Sequence, residues 1–481
     1  MSLSASFNLN IRLPSNCYKP ASNLISAFPS SLSITNSQKY ECPTFLSPPA
    51  DQSVAAILFG DGSHSRLYPL TKRRSEGAIP ISGNYRLIDA VVSNCINSSI
   101  TKIYALTQFN STSLNSHLSR AYSGARLGKE GFVEVIAAYQ SPEDQDWFQG
   151  TADAIRRCLW VLEEYPVVEF LVLPGYHLYK MDYQKLIEAH RNSKADITVS
   201  VLSSSRDEVL GFGIFKVNAQ SQVIDFRENP EMDSSKSMSV KNSVKFDDIA
   251  HHNFPSMGIY VINKNIMRKL LMEYFPFAND LRSEVIPGAI SLGMKIRAYQ
   301  FDGYWEDMRS IGAYYRANME STRKTNNAYN SFYDIDSPVY TLPRNLPPTL
   351  ITDAVITNSV IGDGCILSKC MIKGTVVGMR TIVGEGAIIE DSIIMGSDTY
   401  QMNNVQNGAG EERGICIPVG IGEGSHIRKA IIDKNARIGR NVLIINRDNV
   451  QEGDNEENGY IISGGIVIIL RSAVIPDGSI F

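Results

Sequence analysis

The sequence predicts an α/β chain in two parts, a mostly parallel β-sheet sandwiched by helices and then a C-terminal left-handed parallel β-helix. Up to about residue 329, short apolar runs alternate with helical patterns, which is typical of βαβ units. After the linker, apolar residues recur every six positions. A hexapeptide period is typical of a parallel β-helix, in which each coil stacks its apolar side chains on those of the next.

The first 50 residues differ in composition from the rest of the chain. The first 40 contain ten serines and three basic residues, Arg12, Lys19 and Lys39, and the first acidic residue is Glu41. This composition favours an organellar transit peptide, and therefore a plastid or other organelle, over a secretory signal. A disordered tail is the open alternative. In either case we expect residues 1–50 to lie outside the fold.

Residues 51–336 are predicted to form the sheet domain. A helix is predicted over 153–165 (DAIRRCLWVLEEY), because its apolar residues recur at three and four positions. Strands are predicted for the apolar runs between helical patterns: 54–59, 100–107, 167–174, 195–202 and 258–262.

Residues 351–481 are predicted to form the β-helix, after a proline-rich and therefore extended linker at 337–350. The polar, glycine-rich segment 397–417 interrupts the period, so we expect a loop that leaves the solenoid. The residues that recur every six positions are Val360, Ile366 and Ile372, then Val376, Ile382, Ile388 and Ile394, then Ile421 and Ile427, then Ile432, Ile438 and Ile444.

Bulk composition excludes several classes of function. The formal net charge of −4 and 43% hydrophobic residues predict no general affinity for nucleic acids or membranes. No apolar run reaches the roughly 18 residues that a membrane-spanning helix needs. The seven cysteines have no metal-ligand spacing, which argues against a zinc site.

Eight segments carry a resemblance to a known family. They are SRLYPLTKRR (65–74), NYRLIDAVVSNCINSSITKIYALTQFNS (84–111), EGFVEV (130–135), DWFQGTADAIR (146–156), SMGIYV (256–261), SEVIPGA (283–289), DGYWEDM (302–308) and AIIDKNARIG (430–439). On these segments, the chain from residue 51 to the end resembles the small subunit of plant ADP-glucose pyrophosphorylase, also called glucose-1-phosphate adenylyltransferase. The resemblance implies a nucleotidyltransferase-type sheet domain, a plastid location and a heterotetramer with large subunits. It also implies an enzyme that uses Mg²⁺ to join glucose 1-phosphate to ATP, under the control of phosphorylated effectors.

The implied reaction depends on positioning and on neutralising a highly anionic transition state. The family's phosphate loop reads GGGAGTRL, whereas residues 60–67 read GDGSHSRL. Gly60, Gly62 and Arg66 are retained, but Asp61 and His64 replace glycines. Asp61 brings negative charge toward phosphates, and His64 adds a Cβ where the backbone should approach closely. We therefore expect a damaged phosphate loop.

Three further motifs depart from the family at positions that the resemblance makes catalytic. The family's RAKPAVP reads RSEGAIP here, so Glu76 replaces a triphosphate-binding lysine and Gly77 a proline. Tyr176 follows the apolar run 167–174, at a strand end where ligands collect, and stands where the family has a metal-binding aspartate. Asn229 replaces the lysine that binds glucose 1-phosphate.

Other residues of the implied sites are kept. The second metal-binding aspartate is Asp307, although its segment reads YWEDMRS where the family reads YWEDIGT. One carboxylate is a poor site for Mg²⁺, so we expect that no metal binds productively. The resemblance also implies remnants of the sugar-phosphate and nucleotide sites: Glu228, Ser256 and Gly258 for the first, Gln108, Gln149 and Gly150 for the base.

The resemblance implies an effector site made of basic residues from separated segments. Ser116 and Leu342 depart from it, since arginine and glutamine are expected there. Cys42 lies near the place where family small subunits carry a bridging cysteine, but its surroundings match poorly and favour a free thiol. The effector-binding residues implied are Arg74, Arg86, His117, Arg344, Lys434 and Arg471.

Four lesions together predict a catalytically silent or severely impaired subunit that binds large subunits, itself or both. ATP, glucose 1-phosphate and phosphorylated effectors are its possible ligands. The alternative is an active adenylyltransferase subunit with altered kinetics, which Asp307, Arg66 and the base segments favour. A solenoid acyltransferase is a third hypothesis, but the solenoid offers only His426 as a base.

Overall fold

A computed structural model describes residues 49–61, 67–122, 127–138, 146–203, 213–228, 251–323, 330–400 and 417–481. Of the residues singled out above, Cys42, Gly62, His64, Arg66 and Asn229 lie outside the described residues. So does most of the loop predicted at 397–417. In the part of the chain that is described, no helix combines the length and apolar character needed to cross a bilayer.

The sheet domain contains the alternating strands and helices that the sequence predicts. All five predicted strands and the predicted helix are found, with ends that differ by a few residues. Its strands are β1 (Val54–Phe59), β2 (Pro80–Ile81), β3 (Tyr85–Arg86), β4 (Lys102–Thr107), β5 (Phe132–Ala137), β6 (Glu169–Pro174), β7 (His177–Tyr179), β8 (Ile197–Leu202), β9 (Ile214–Asn218), β10 (Val223–Arg227), β11 (His251–Asn263), β12 (Ile296–Phe301) and β13 (Trp305–Asp307). Its helices are α1 (Ala50–Ser53), α2 (Leu87–Asn97), α3 (Thr112–Ala121), α4 (Thr151–Leu162), α5 (Tyr183–Ser193), α6 (Lys264–Lys269), α7 (Ile286–Ser291) and α8 (Ile311–Ser321).

The central sheet places the carboxyl ends of its parallel strands at one edge. Strands β5, β4, β1 and β6 are parallel neighbours, and β8 is parallel to β12. The long β11 runs antiparallel to β6 and β8, and its first half pairs with the β9–β10 hairpin. Strands β1, β4, β6 and β8 are buried at every residue, as expected for strands covered by helices on both faces.

The C-terminal part is a three-sided solenoid, as the six-residue period predicts. Its three sheets follow the orders β14-β17-β20-β23-β26-β31, β15-β18-β21-β24-β27 and β16-β19-β22-β25-β30-β29-β28. The strands are β14 (Leu350–Thr352), β15 (Val355–Thr357), β16 (Val360–Ile361), β17 (Ile366–Ser368), β18 (Met371–Lys373), β19 (Val376–Val377), β20 (Ile382–Val383), β21 (Ile388–Glu390), β22 (Ile393–Ile394), β23 (Gly420–Ile421), β24 (His426–Arg428), β25 (Ala430–Ile432), β26 (Arg437–Ile438), β27 (Leu443–Ile444), β28 (Glu452–Asn455), β29 (Tyr460–Ser463), β30 (Ile466–Ile469) and β31 (Val474–Ile475).

The solenoid differs from the sequence pattern in two details. At three strands, β17, β20 and β21, the fully inward residue is the one after the predicted position, so Leu367, Val383 and Ile389 form the core while their predecessors are only partly buried. The six-residue period is the same for either neighbour, so the period alone cannot choose between them. The antiparallel excursion β28–β29–β30 interrupts the repeat and was not predicted.

A shared apolar core joins the sheet domain to the solenoid. Leu70, Leu87 and Tyr314 from the first part pack with Ile393 and Ile468 from the second. The Tyr314 hydroxyl donates to the carbonyl of Pro80 at 2.5 Å, and the Tyr315 hydroxyl donates to the carbonyl of Asp391 at 2.5 Å. This packing fixes the basic residues of the two parts relative to one another.

Candidate active site and effector cluster

The sheet edge brings residues 176 and 307 close together. Strand β6 ends at Pro174, and the Gly175 N–H donates to the Phe59 carbonyl of β1 at 2.9 Å. The short β7 then pairs antiparallel with β13, so that His177 lies opposite Asp307. A side chain at 176 therefore lies beside the carboxylate of Asp307, where the family pattern has a second aspartate.

Tyr176 fills this position with a buried, neutral ring. It is only 8% exposed, and its ring meets that of His177 edge-on, with centroids 4.8 Å apart. Burial raises the pKa of Tyr176, so the phenol stays protonated at physiological pH. Burial and Arg309 lower the pKa of His177, which is therefore neutral. Neither side chain supplies the negative charge that the missing aspartate would bring.

Arg309 binds the remaining carboxylate directly. Its Nε lies 3.1 Å from Oδ1 and 3.2 Å from Oδ2 of Asp307, and an Nη donates to Oδ2 at 3.2 Å. The guanidinium also lies over the Tyr176 ring, 5.2 Å from its centroid. Burial by itself would lower the pKa of Arg309, but Tyr176 and Asp307 raise it, so the guanidinium stays positively charged. The family segment YWEDIGT has glycine at position 309. The sequence alone therefore already showed that an arginine had been gained beside Asp307.

Glu76 and Asp61 form a local arrangement of their own at the phosphate loop. Glu76 is 2% exposed, and its backbone N–H donates to Oδ1 of Asp61 at 2.9 Å. The Gly77 N–H donates to the carbonyl of Gly60 at 3.0 Å, a hydrogen bond that the family's proline could not make. Burial raises the pKa of Asp61 to about 6, offset in part by the hydrogen bond from Glu76. Two carboxylates thus lie where an anionic ligand would need cations.

Of the three predicted sugar-phosphate residues, Gly258 lines a cavity together with Tyr176 and Arg309. Ser256 is buried, and its hydroxyl accepts from the N–H of Gly258 at 3.1 Å. Glu228 lies 3.6 Å from an Nη of Arg282, which lines one cavity together with Tyr176 and Arg309. Sequence reasoning missed Arg282, because it looked only at the positions that the family motifs mark as catalytic.

The residues predicted to recognise a base lie on two separate segments. Gln108 follows β4, and its buried Oε1 accepts no hydrogen bond from the described part of the chain. Gln149 is exposed, and its backbone N–H donates to Asp153 at 3.0 Å. Gly150 immediately precedes α4, and an added Cβ there would lie 2.4 Å from the carbonyl oxygen of Asn279. Packing against Asn279 therefore requires glycine at this position, independently of any contact with a base.

Two of the six basic residues meet on one carboxylate, that of Asp398. Lys434 Nζ lies 2.7 Å from its Oδ1, and an Nη of Arg471 lies 3.0 Å from its Oδ2. Burial would raise the pKa of Asp398, but Lys434 and Arg471 hold it well below its usual range. Burial lowers the pKa of Lys434 to about 8, against the opposing effect of Asp398.

Arg86 and Arg344 are close enough to Asp398 to interact with it electrostatically, whereas Arg74 and His117 bind other carboxylates. Burial lowers the pKa of Arg86 to about 10, and burial together with nearby Arg380 lowers that of Arg344. Arg74 is buried and pairs with Asp433, the residue before Lys434 in the chain. His117 instead binds Asp89 at 2.5 Å. We call Arg74, Arg86, His117, Arg344, Lys434 and Arg471 the basic cluster.

Two family models match the chain, and each corresponds to one part of the fold. A model described as "Nucleotidyl transferase" matches residues 55–324, and one described as "GLGC left-handed parallel beta-helix domain" matches residues 344–480. A protein of Arabidopsis thaliana named "Inactive glucose-1-phosphate adenylyltransferase small subunit 2, chloroplastic" is 61% identical over 95% of this chain and 93% of its own length. The chain belongs to the glucose-1-phosphate adenylyltransferase family.

The name of a second relative in the glucose-1-phosphate adenylyltransferase family does not contain the word "Inactive". It is "Glucose-1-phosphate adenylyltransferase small subunit, chloroplastic/amyloplastic" of Triticum aestivum, 52% identical over 90% of this chain and 93% of its own length. The family resemblance and the two-part fold predicted from the sequence are thereby confirmed. The predicted plastid location agrees with the names of both relatives.

The residues of this adenylyltransferase site do not fit the Mg²⁺ that the family uses. Magnesium needs free carboxylate oxygens, but those of Asp307 are already bound by the Arg309 guanidinium. The buried Tyr176 ring fills the place of the second aspartate. Within the described ranges, no group of three or more potential ligands could hold a metal ion.

Proposed function

We propose that this chain is a catalytically silent or severely impaired small subunit of glucose-1-phosphate adenylyltransferase. The observation that carries the proposal is the Arg309–Asp307 ion pair beside the buried Tyr176 ring. Loss of one preorganised electrostatic stabiliser typically costs about 3–4 kcal/mol of transition-state stabilisation, or roughly 10² to 10³ in rate. The costs of losing the metal-binding aspartate, the triphosphate-binding lysine and the phosphate loop are not simply additive. Even partial addition would remove most of the rate advantage over the uncatalysed reaction.

We infer a regulatory role within a plastid assembly. The chain would join a large subunit, further copies of itself or both, and the basic cluster would take a phosphorylated effector. Cations from both parts of the fold surround Asp398, so a phosphate that competes with this carboxylate would change how the sheet domain packs on the solenoid. In starch synthesis, such a subunit would change the response of an active partner to effectors.

The test is an activity assay combined with an assembly assay on the same sample. The chain is purified alone and after co-expression with a large subunit, its size is measured by gel filtration, and ADP-glucose formation is measured with Mg²⁺. We expect a stable complex, and little or no product from the chain alone. A turnover within tenfold of an ordinary small subunit would overturn the proposal.

The second candidate function is an active adenylyltransferase subunit with altered kinetics. Retention of the Asp307 carboxylate and of the unpaired Oε1 of Gln108 beside β4 favours it. Under this alternative, product forms at raised ATP and Mg²⁺ concentrations, and Asp307→Asn abolishes it. Under the leading proposal, Asp307→Asn leaves the background rate unchanged.

A further inference from the structure

The charges of the centre are rearranged relative to the family pattern, but their number is unchanged. The quoted family motifs place lysine at position 76, aspartate at 176 and 307, and glycine at 309. This chain has Glu76, Tyr176, Asp307 and Arg309 at the same positions. Both patterns therefore contain one cation and two carboxylates. The family pattern has glycine at position 309, whereas here that position carries the cation, which pairs with Asp307.

The geometry shows what the relocated cation does. The Arg309 guanidinium binds both carboxylate oxygens of Asp307 within 3.2 Å and covers the face of Tyr176. Arg309 is 8% exposed, so its charge is poorly screened by water. The carboxylate of Glu76 is close enough to favour the charged form of Arg309. The Asp307 carboxylate is thus neutralised by a side chain of this protein, without any ion from solution.

We propose that Arg309 is a built-in cation that replaces the divalent metal, and that it excludes a metal even when the missing aspartate is restored. This inference deepens the proposed function and rests on it. Any metal that approached Asp307 would have to displace the two-point contact between this partly exposed carboxylate and the buried Arg309 guanidinium, and it would meet a positive charge at close range. Reversion of the catalytic positions alone, Tyr176→Asp, Glu76→Lys and Asn229→Lys, would then recover little activity unless Arg309→Gly accompanies it.

The test measures Mn²⁺ binding, which requires no catalysis. The full chain, Tyr176→Asp, Arg309→Gly and the double variant Tyr176→Asp/Arg309→Gly are titrated with Mn²⁺, and free ion is measured by electron paramagnetic resonance. We expect weak binding by the parent and by both single variants. The double variant should bind at least tenfold more tightly than Tyr176→Asp, because only it has two unpaired carboxylates.

The matched control removes an equal charge from the same cavity. Arg282 lines the cavity with Arg309 but pairs with Glu228 rather than Asp307. Tyr176→Asp/Arg282→Gly should therefore bind Mn²⁺ no more tightly than Tyr176→Asp. An equal gain from the Arg282 change would mean that general charge, and not the Asp307 pair, excludes the metal, and the inference would be wrong.

The remaining outcomes also decide the question. If Tyr176→Asp alone binds as tightly as the double variant, or if the double variant also fails to bind, Arg309 is not the excluding group. Circular dichroism and gel filtration confirm the fold of each variant, and Arg309→Gln replaces Arg309→Gly if the latter does not fold. Tight Mn²⁺ binding with ADP-glucose formation by the parent would instead refute the proposed function, so the two failures are distinguishable.

Discussion

Sulfate binding to the basic cluster should weaken steeply between pH 7 and pH 9, because Lys434 loses its charge in this range. Burial lowers its pKa to about 8, with Arg86 and Arg344 acting in the same direction and Asp398 opposing them. With that pKa, about nine tenths of the side chains are charged at pH 7 and about one tenth at pH 9. If binding requires the ammonium, the dissociation constant for sulfate should rise by up to about tenfold.

Isothermal titration calorimetry at pH 7, 8 and 9 measures this dependence. Sulfate is the probe because its own charge is constant over the range, unlike that of phosphate. Lys434→Arg keeps a cation at every pH and should give a nearly flat profile, whereas Lys434→Met should bind weakly throughout. A parent profile as flat as that of Lys434→Arg would refute the assignment of the pH dependence to this lysine.

Three further predictions concern the internal carboxylate, the solenoid and the phosphate loop. In a Lys434→Arg background, which keeps the cation when Asp398 is removed, Asp398→Asn should bind sulfate about fivefold more tightly at pH 7 by calorimetry, because a competing carboxylate worth about 1 kcal/mol is gone. Weaker binding would mean that Asp398 orders the site. Leu367→Ala should lower the free energy of unfolding in urea by about 2–5 kcal/mol, because this side chain is fully buried. Met371→Ala removes a side chain that is 45% exposed and should change the free energy of unfolding by less than about 0.5 kcal/mol. Equal effects of the two changes would contradict the observed register. Gly77→Pro should lower the melting temperature, because loss of the 3.0 Å hydrogen bond to Gly60 costs about 1–3 kcal/mol of stability. The reduced entropy of the unfolded chain offsets only about 0.4–1 kcal/mol of this. Gly77→Ala keeps the N–H, so its melting temperature should fall less.

Most of the architecture could be predicted from periodicity, because each period corresponds to a way of burying side chains. The run 54–59 became a fully buried central strand, and the six-residue repeat became three parallel sheets. Which neighbour faces inward could not be read, since Ile366 and Leu367 are both apolar and occur with the same period. The β28–β30 excursion has no repeat of its own, so nothing in the period indicated it.

The site was only partly predictable, for a different reason. Motif comparison identifies what is missing at a known position, and so it identified Tyr176 and Glu76. It does not identify what has been added beside that position. The motif YWEDMRS showed Arg309 two residues after Asp307, but only the pairing of β7 with β13 shows that its guanidinium lies over the Tyr176 ring. A gained contact depends on three-dimensional neighbours that a linear motif does not contain.

The two sites of the chain differ in how their charges are balanced, and this difference argues for a subunit that has lost chemistry but kept a response. At the centre, the buried Arg309 pairs with the partly exposed Asp307, so an external cation would gain little and would have to break that pair. At the basic cluster, Asp398 is 40% exposed and shares its two oxygens between Lys434 and Arg471, with Arg86 and Arg344 nearby. Several cations around one accessible carboxylate leave an excess of positive charge that an external phosphate could neutralise. Under the proposed function, a centre that binds no metal and a cluster that responds to anions would coexist in one folded chain, because the apolar packing between the solenoid and the sheet domain does not include Asp307.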